Sequence, residues 1–282
     1  MLNKILVTGG TGKTGSRLAK QLRASGHSPR IATRNPDGAD QVWFDWADQG
    51  SYQAALDEVK AIYLVAPANV PEPLAAMKPF IDRAIDSGVE RFVLLSASSL
   101  EEGGPMMGAV HRYLHEHAPG WFVLRPTWFM QNFSEQQHLP TIRDEQAIYS
   151  ATGDGRVPFV DADDIAAVAA AALTDPNIPD DDAILTGPQL LSYDEVAEVL
   201  SDALGCTITH HHLSERELIE RFETDGMNRT YAELLAAMDT AIAVGGEAQL
   251  SGSVTELTGI APQDFTGFVA RNIERWKVPR NI

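Results

Sequence analysis

The chain has 282 residues, 39 acidic against 22 basic side chains, a formal net charge of −17 and a single cysteine, Cys206. That length suffices for one large domain, or one domain with an appended lobe. The acidity, with no basic run, argues against nucleic acid as a partner, and one cysteine excludes an internal disulfide framework and suits a reducing compartment. The longest apolar stretch, 166–173, is too short to cross a bilayer, and Met1-Leu2-Asn3-Lys4 leads straight into core sequence. A cytoplasmic protein with no leader and no membrane partner is expected.

In chain order, a strand-like run at 5–8 breaks into Gly9-Gly10-Thr11-Gly12-Lys13-Thr14-Gly15 and then enters a helical segment at 16–22. Further strand-like runs at 29–33, 41–44, 61–66, 91–96 and 121–125 alternate with helix-compatible segments at 52–59, 73–87 and 106–117. Such apolar, non-alternating strands separated by helices predict a parallel sheet covered on both faces. Ser25-Gly26 and Ser87-Gly88 read as helix ends. Beyond about 137 the rhythm loosens: short strands are expected at 147–150 and 183–185, with Asp163 capping an alanine-rich helix. Helices are expected at 192–204, 214–224, 231–244 and 262–276. The organisation this implies is a dinucleotide-binding domain over 1–136. Residues 137–282 then supply the remaining sheet elements and a mainly helical lobe covering the substrate at the carboxyl edge of the sheet, not an independent domain.

The glycine turn carries the most functional information. A buried strand that turns through glycines into a helix lets a pyrophosphate approach the main chain at the positive end of that helix. Gly12-Lys13-Thr14 also resembles the end of a Walker A loop, but the first glycine of that motif would fall at Val7, inside the strand, so triphosphate hydrolysis is disfavoured. At the end of the second strand stands Arg34, where a carboxylate would hold the ribose hydroxyls of NAD. A guanidinium instead suits a 2′-phosphate, so NADP(H) is favoured over NAD(H). Asp45 and Trp46 follow the third strand, where an adenine edge lies, and Val65-Ala66-Pro67 should pass under the cofactor.

These residues and three longer stretches resemble a known family. The stretches are Arg91-Phe92-Val93-Leu94-Leu95-Ser96-Ala97-Ser98, Leu124-Arg125-Pro126-Thr127-Trp128-Phe129-Met130-Gln131-Asn132, and the segment from Ile148 through Tyr149 and Phe159 to Ala166. The chain is similar over nearly its whole length to the atypical short-chain dehydrogenases of the NmrA-like group, most closely the festuclavine/agroclavine dehydrogenase branch of ergot alkaloid biosynthesis and its bacterial relatives. The resemblance implies a Rossmann fold, a nicotinamide cofactor and, in this branch, reduction of a C=N⁺ bond in a cyclic amine. One departure matters. The main short-chain dehydrogenases carry Tyr-x-x-x-Lys on the helix before the sixth strand, the tyrosine serving as proton donor. Here His111 takes the place of the lysine and Met107 that of the tyrosine, and methionine donates no proton.

Ser98 and His111 are the candidate catalytic residues. Ser96 and Ala97 after the fifth strand, with Pro126, Thr127 and Trp128 after the sixth, are expected to border the nicotinamide. Met107, Phe129, Tyr149 and Phe159 are expected to line an apolar substrate pocket. In His210-His211-His212 only the outer two share a strand face and no third ligand is evident, so a polar edge strand is expected and no metal site. Hydrolase patterns are absent from the sequence. Two alternatives stay open beside imine reduction: a regulator that binds NADP without catalysis, and a quinone or enone reductase.

Overall fold

The computed structural model describes residues 4–68, 70, 72–135 and 137–277. They divide into two compact units. The first takes the described residues up to Pro126 together with Ala162–Leu185 and Gly252–Ile260, and the second takes Thr127–Asp161, Thr186–Ser251 and the described residues from Ala261. The chain thus passes between the units several times, whereas the sequence reading placed one boundary at 136/137.

The first unit is built on a seven-stranded sheet: β1 (Lys4–Val7), β2 (Ser28–Thr33), β3 (Gln41–Trp43), β4 (Val59–Leu64), β5 (Arg91–Leu95), β6 (Trp121–Pro126) and β8 (Asp181–Leu185). Their order is β3-β2-β1-β4-β5-β6-β8 and every pairing is parallel. This is the doubly wound arrangement expected, and the order reverses between β1 and β4. Alternate residues divide the two faces. Leu6, Ile62, Leu64, Phe92, Leu94 and Val123 join one buried cluster with side chains of α2 (Tyr52–Leu56), α3 (Pro73–Asp86) and α4 (Met107–His117). On the other side α1 (Lys13–Ala24) packs against α7 (Ala162–Thr174). Leu18, Ala19 and Leu22 form the buried stripe of α1, and Gly26, in the left-handed region at φ +81°, ends it as expected.

The helix after β3 and the start of α7 differ from expectation. The helix expected over 52–59 stops at Leu56, because Glu58 adopts φ +60° and β4 already begins at Val59. Asp163 does not cap α7 but lies inside its first turn, where its carboxylate pairs with Arg17 at 3.5 Å and its carbonyl accepts from Gln21 at 2.9 Å.

In the second unit β7 (Ala147–Ser150) pairs in parallel with β9 (Thr209–His212). Around them are the short helices α5 (Gln131–Ser134) and α6 (Leu139–Glu145), then α8 (Tyr193–Leu204), α9 (Glu215–Thr224), α10 (Arg229–Ala243) and α12 (Phe265–Asn272). The helix expected over 262–276 is shorter, its end tightening into a 3₁₀ turn at Ile273–Arg275. Capping boxes start α8 and α9 (Ser192 with Glu195, Ser214 with Glu217). The core is aromatic, with Phe133, Phe159, Tyr193, Phe265, Phe268 and Trp276 buried together. Among the described residues no helix is long and apolar enough to cross a membrane.

Candidate cofactor site

The carboxyl end of β1 opens into the glycine turn beside the strand-order reversal. Thr8 fixes that point: its N–H and hydroxyl both donate to the Tyr63 carbonyl (3.0 and 2.9 Å), while its Oγ1 accepts from Val65 N–H at 2.8 Å. Gly9 follows at φ +60°, and Gly12 N–H closes the turn onto the Gly9 carbonyl at 2.9 Å. A Cβ on Gly15 would stand 2.3 Å from that same oxygen, so only glycine lets α1 start this close to the turn. A Cβ on Gly10 would meet the Ile31 side chain at 2.6 Å. Gly12 caps α1, with no side chain capping it among the described residues and no acid in its first turn. The start of α1 therefore offers main-chain N–H groups and a positive dipole end to an anion, with no acidic side chain in its own first turn.

Thr14 departs from its expected role. Its hydroxyl is buried and accepts from Tyr63 O–H at 3.0 Å, binding α1 to β4. Burial raises the Tyr63 phenol well above its ordinary range and outweighs the Thr14 contact, which acts the other way. Thr14 Oγ1 is thus held against β4, and with the side chain buried its main chain is the part nearest the turn. Thr11 is exposed and Lys13 half-buried.

Beside the turn lies a cavity of about 770 Å³. Gly9 and Thr11 border it, with Thr33, Arg34 and Asn35 after β2, Phe44, Asp45 and Trp46 after β3, and Val65, Ala66 and Pro67 after β4. The structure thus brings together residues far apart in sequence that were expected at a dinucleotide. Arg34 is exposed and forms no ion pair among the described residues. Phe44 is edge-on to Trp46 (5.0 Å) and to Phe80 (4.9 Å) and stacks on Tyr52 (5.9 Å), giving the cavity an aromatic wall suited to a purine. One Asp45 oxygen already accepts from Ala47 N–H at 2.9 Å, so part of its expected capacity for an adenine amino group is taken. The sequence reading missed Thr8, Phe44 and Tyr52. The only signal for them was their place at strand ends or in the turn.

Farther along the same edge, the loop after β5 is tied down by a buried charge. Arg125, in β6, donates to Asp182 (2.9 Å), Glu101 (2.6 Å) and the Ser98 carbonyl (2.8 Å). Ser98 N–H in turn donates to the Pro126 carbonyl at 2.9 Å. A lone arginine inside an otherwise apolar strand signals such a brace, because a buried charge needs partners. Ser96 ends β5 with its hydroxyl buried and without a hydrogen-bond partner among the described residues, and Ala97 beside it is half-buried. None of these residues lines the 770 Å³ cavity.

His111 and Met107 are placed differently from expectation. Both point into the core, Met107 joining the cluster on the α4 face of the sheet. His111 is 1% exposed, its ring lies 5.3 Å from Trp121 at the start of β6, and neither ring nitrogen has a partner among the described residues. Burial holds its pKa below the usual imidazole value, against the opposing pull of Asp182 and Glu102. The ring is thus enclosed between Trp121 and the charges of Asp182, Glu102 and Arg125, with almost no exposed surface of its own. Met107 likewise fills core rather than a pocket wall.

In the second unit, Thr127 donates its hydroxyl to the Pro158 carbonyl at 2.8 Å, Trp128 packs half-buried on the aromatic core, and half-buried Phe129 bridges to Val160. Phe159, expected in a pocket, is a core residue, 5.1 Å edge-on to Phe133 and 5.6 Å from Tyr193. Tyr149 is committed to a local cluster: its hydroxyl donates to Glu145 (2.9 Å), His211 stacks on it at 4.9 Å, and Arg221 sits 3.5 Å over its ring. The missing third partner of the His210/His212 pair is present in the structure as Asp194.

A parallel sheet with this order, a glycine turn at its reversal point and an aromatic cavity beside it define a dinucleotide-binding protein. Residues 9–176 match the NAD(P)H-binding family, and the chain belongs to it, as an NAD(P)H-dependent reductase of the NmrA-like atypical short-chain type. It is 42% identical over 277 residues to the Bacillus subtilis protein named uncharacterized oxidoreductase YesF, covering 97% of this chain and 96% of that one. It is 40% identical over 288 residues to agroclavine dehydrogenase of Claviceps fusiformis, covering 96% and 98%. Among solved structures, the NADPH complex of the Escherichia coli NADPH-dependent quinone oxidoreductase QOR2 shares the fold, with a TM-score of 0.82, 21% identity, and coverage of 95% and 99%.

Proposed function

We propose that this protein is an NADP(H)-dependent reductase acting on the C=N⁺ bond of a hydrophobic cyclic amine precursor. The observation that carries the reading is the pairing of a cofactor edge with buried residues where an acid would stand. Arg34 borders the cavity exposed and without an ion pair among the described residues, while Met107 and His111, which we match to the family's tyrosine and lysine, are turned into the core. A ketone reduced to an alkoxide needs a positioned proton donor, because negative charge develops on oxygen. An iminium carbon already carries its activating charge, and hydride addition yields a neutral amine with no proton to supply. For such a substrate, alignment and closeness provide most of the acceleration.

When bound, the reduced nicotinamide supplies the hydride. The main chain of Gly9–Gly15 receives the diphosphate, Arg34 binds the 2′-phosphate through charge-assisted hydrogen bonds, and the aromatic wall of Phe44, Trp46 and Tyr52 takes the adenine. Ser96, whose buried hydroxyl lacks a partner at the end of β5, is the donor we assign to the nicotinamide end in preference to Ser98, whose main chain is committed to Arg125 and Pro126. The support from relatives is the full-length similarity to an agroclavine dehydrogenase.

The test is NADPH oxidation measured across a panel of cyclic iminium ions, simple ketones, quinones and enones. The expected result is turnover of the iminium ions and little of the ketones. Strong ketone reduction would overturn the reading of the Met107 position. Turnover of quinones or enones alone would move the assignment to that class, and tight NADPH binding without any turnover would make the protein a cofactor-binding regulator.

A further inference from the structure

We propose that Asp194, His210 and His212 form a binding site for a divalent transition-metal ion in the second unit. Strand alternation on β9 turns His210 and His212 to one face, while His211 stacks on Tyr149 instead. The first turn of α8 brings Asp194 to the same place, its Oδ1 lying 3.0 Å from His210 Nδ1 and 3.2 Å from His212 Nε2. Donors bound at about 2.0–2.1 Å to one tetrahedral ion are about 3.3 Å apart, so these two separations are already those of a coordination shell. The three donor atoms all lie within 4.8 Å of one another, and His212, 47% exposed, has room to turn and close the last gap.

A second observation points the same way. The His210 side chain is fully buried, and its other nitrogen, Nε2, lies 2.8 Å from Ser150 Oγ, itself 2.7 Å from Thr152 Oγ1. Imidazole ligands of metal ions are oriented by such an outer hydroxyl or carbonyl. Coordination through Nδ1 requires the ring proton on Nε2. Ser150 Oγ can accept it there and pass its own hydrogen to Thr152, so the change is a tautomer shift with no net loss of a proton from the ring. Two imidazoles and one carboxylate suit Zn²⁺, Ni²⁺, Co²⁺ or Cu²⁺, whereas Mg²⁺ and Ca²⁺ require oxygen donors. Asp194 and His212 are each close to half exposed, so the ion enters from solvent and water completes its coordination. Once bound, it clips the start of α8 to β9.

The test uses the untagged full-length chain, titrated calorimetrically with ZnSO₄ and followed optically with CoCl₂, with NADPH uptake recorded as a check of folding. The expected result is saturable binding of one equivalent of Zn²⁺, a higher melting temperature, and the visible ligand-field bands of a low-coordinate Co²⁺ complex. His212→Asn and Asp194→Asn should each weaken Zn²⁺ binding by at least about tenfold. His211→Asn should leave it unchanged, and Mg²⁺ should not compete. Absence of saturable binding at sub-millimolar Zn²⁺ would overturn the proposal, as would an Asp194→Asn or His212→Asn variant that binds like the parent.

Discussion

The turn at Gly9–Gly15 and the corner at Asp194–His212 are two polar places made by opposite means. The first works by leaving side chains out, since one methyl group at Gly15 would stand 2.3 Å from the Gly9 carbonyl. The second works by bringing three side chains together, braced by Ser150 and Thr152. A main-chain site has no slack, because its groups move only if the helix and strand that carry them move. A side-chain site can lose one donor and keep its fold.

That contrast is broken most directly at Gly15. Gly15→Ala forces α1 away from the turn, and NADPH affinity measured by calorimetry should fall by about 10- to 100-fold, equivalent to the 1–3 kcal/mol of an overpacked contact. Parent-like affinity would show that the main chain does not carry the binding. Next in size is Arg34, a side-chain contribution to the same site. In Arg34→Asp a charge-assisted contact becomes a repulsion, and the ratio of NADPH to NADH affinity should fall by about tenfold or more. An unchanged ratio would remove Arg34 from the 2′-phosphate.

A third effect, on stability and not on cofactor affinity, concerns a buried acid of the second unit. Burial pushes the Asp239 carboxyl up to about 6, against the lowering influence of the Ala151 N–H that donates to it at 3.0 Å. A carboxyl with a raised folded pKa holds more protons folded than unfolded between about pH 4 and 6. Its contribution to stability therefore falls as pH rises through that window and stays low above it. Asp239→Asn keeps an oxygen for the Ala151 N–H and should stabilise the protein by about 1–3 kcal/mol at about pH 8, the gain fading by about pH 4. Denaturant melts at both pH values check this. His138 has its pKa lowered to about 3, by burial first and by the charge of His210 second, and its own contribution runs the other way with pH. Because it is common to parent and variant, it cancels in the difference.

How much was legible beforehand follows the same divide. The central strands are short apolar runs separated by helix-compatible segments, and β1 runs into glycines, so the sheet and the phosphate turn stand out in the sequence, and Arg34 is found by counting from the glycines. What one chain of letters does not show is which way a helix faces. Thr14, Met107 and His111 were expected at the cofactor and substrate, but their side chains turn into the core, because α1 and α4 press those faces on the sheet. Phe159 went the same way into the aromatic core. Contacts between distant segments were equally hidden: Asp194 lies 16 residues from His210, with the turn from α8 to β9 between them. Arg125 also went unread, although an isolated charge in an apolar strand demands partners.

The covalent path also bears on how the protein is made. The chain passes between the two units five times, and the first is complete only with Gly252–Ile260, where α11 (Ser253–Thr258) packs on α7. During synthesis the dinucleotide fold therefore lacks its edge strand β8 until residue 185 has been made, and this last helix until residue 258. Single cleavage in an exposed loop cannot release either unit whole. Fragments ending near residue 136 should be insoluble or recruit chaperones, although they carry the entire glycine turn.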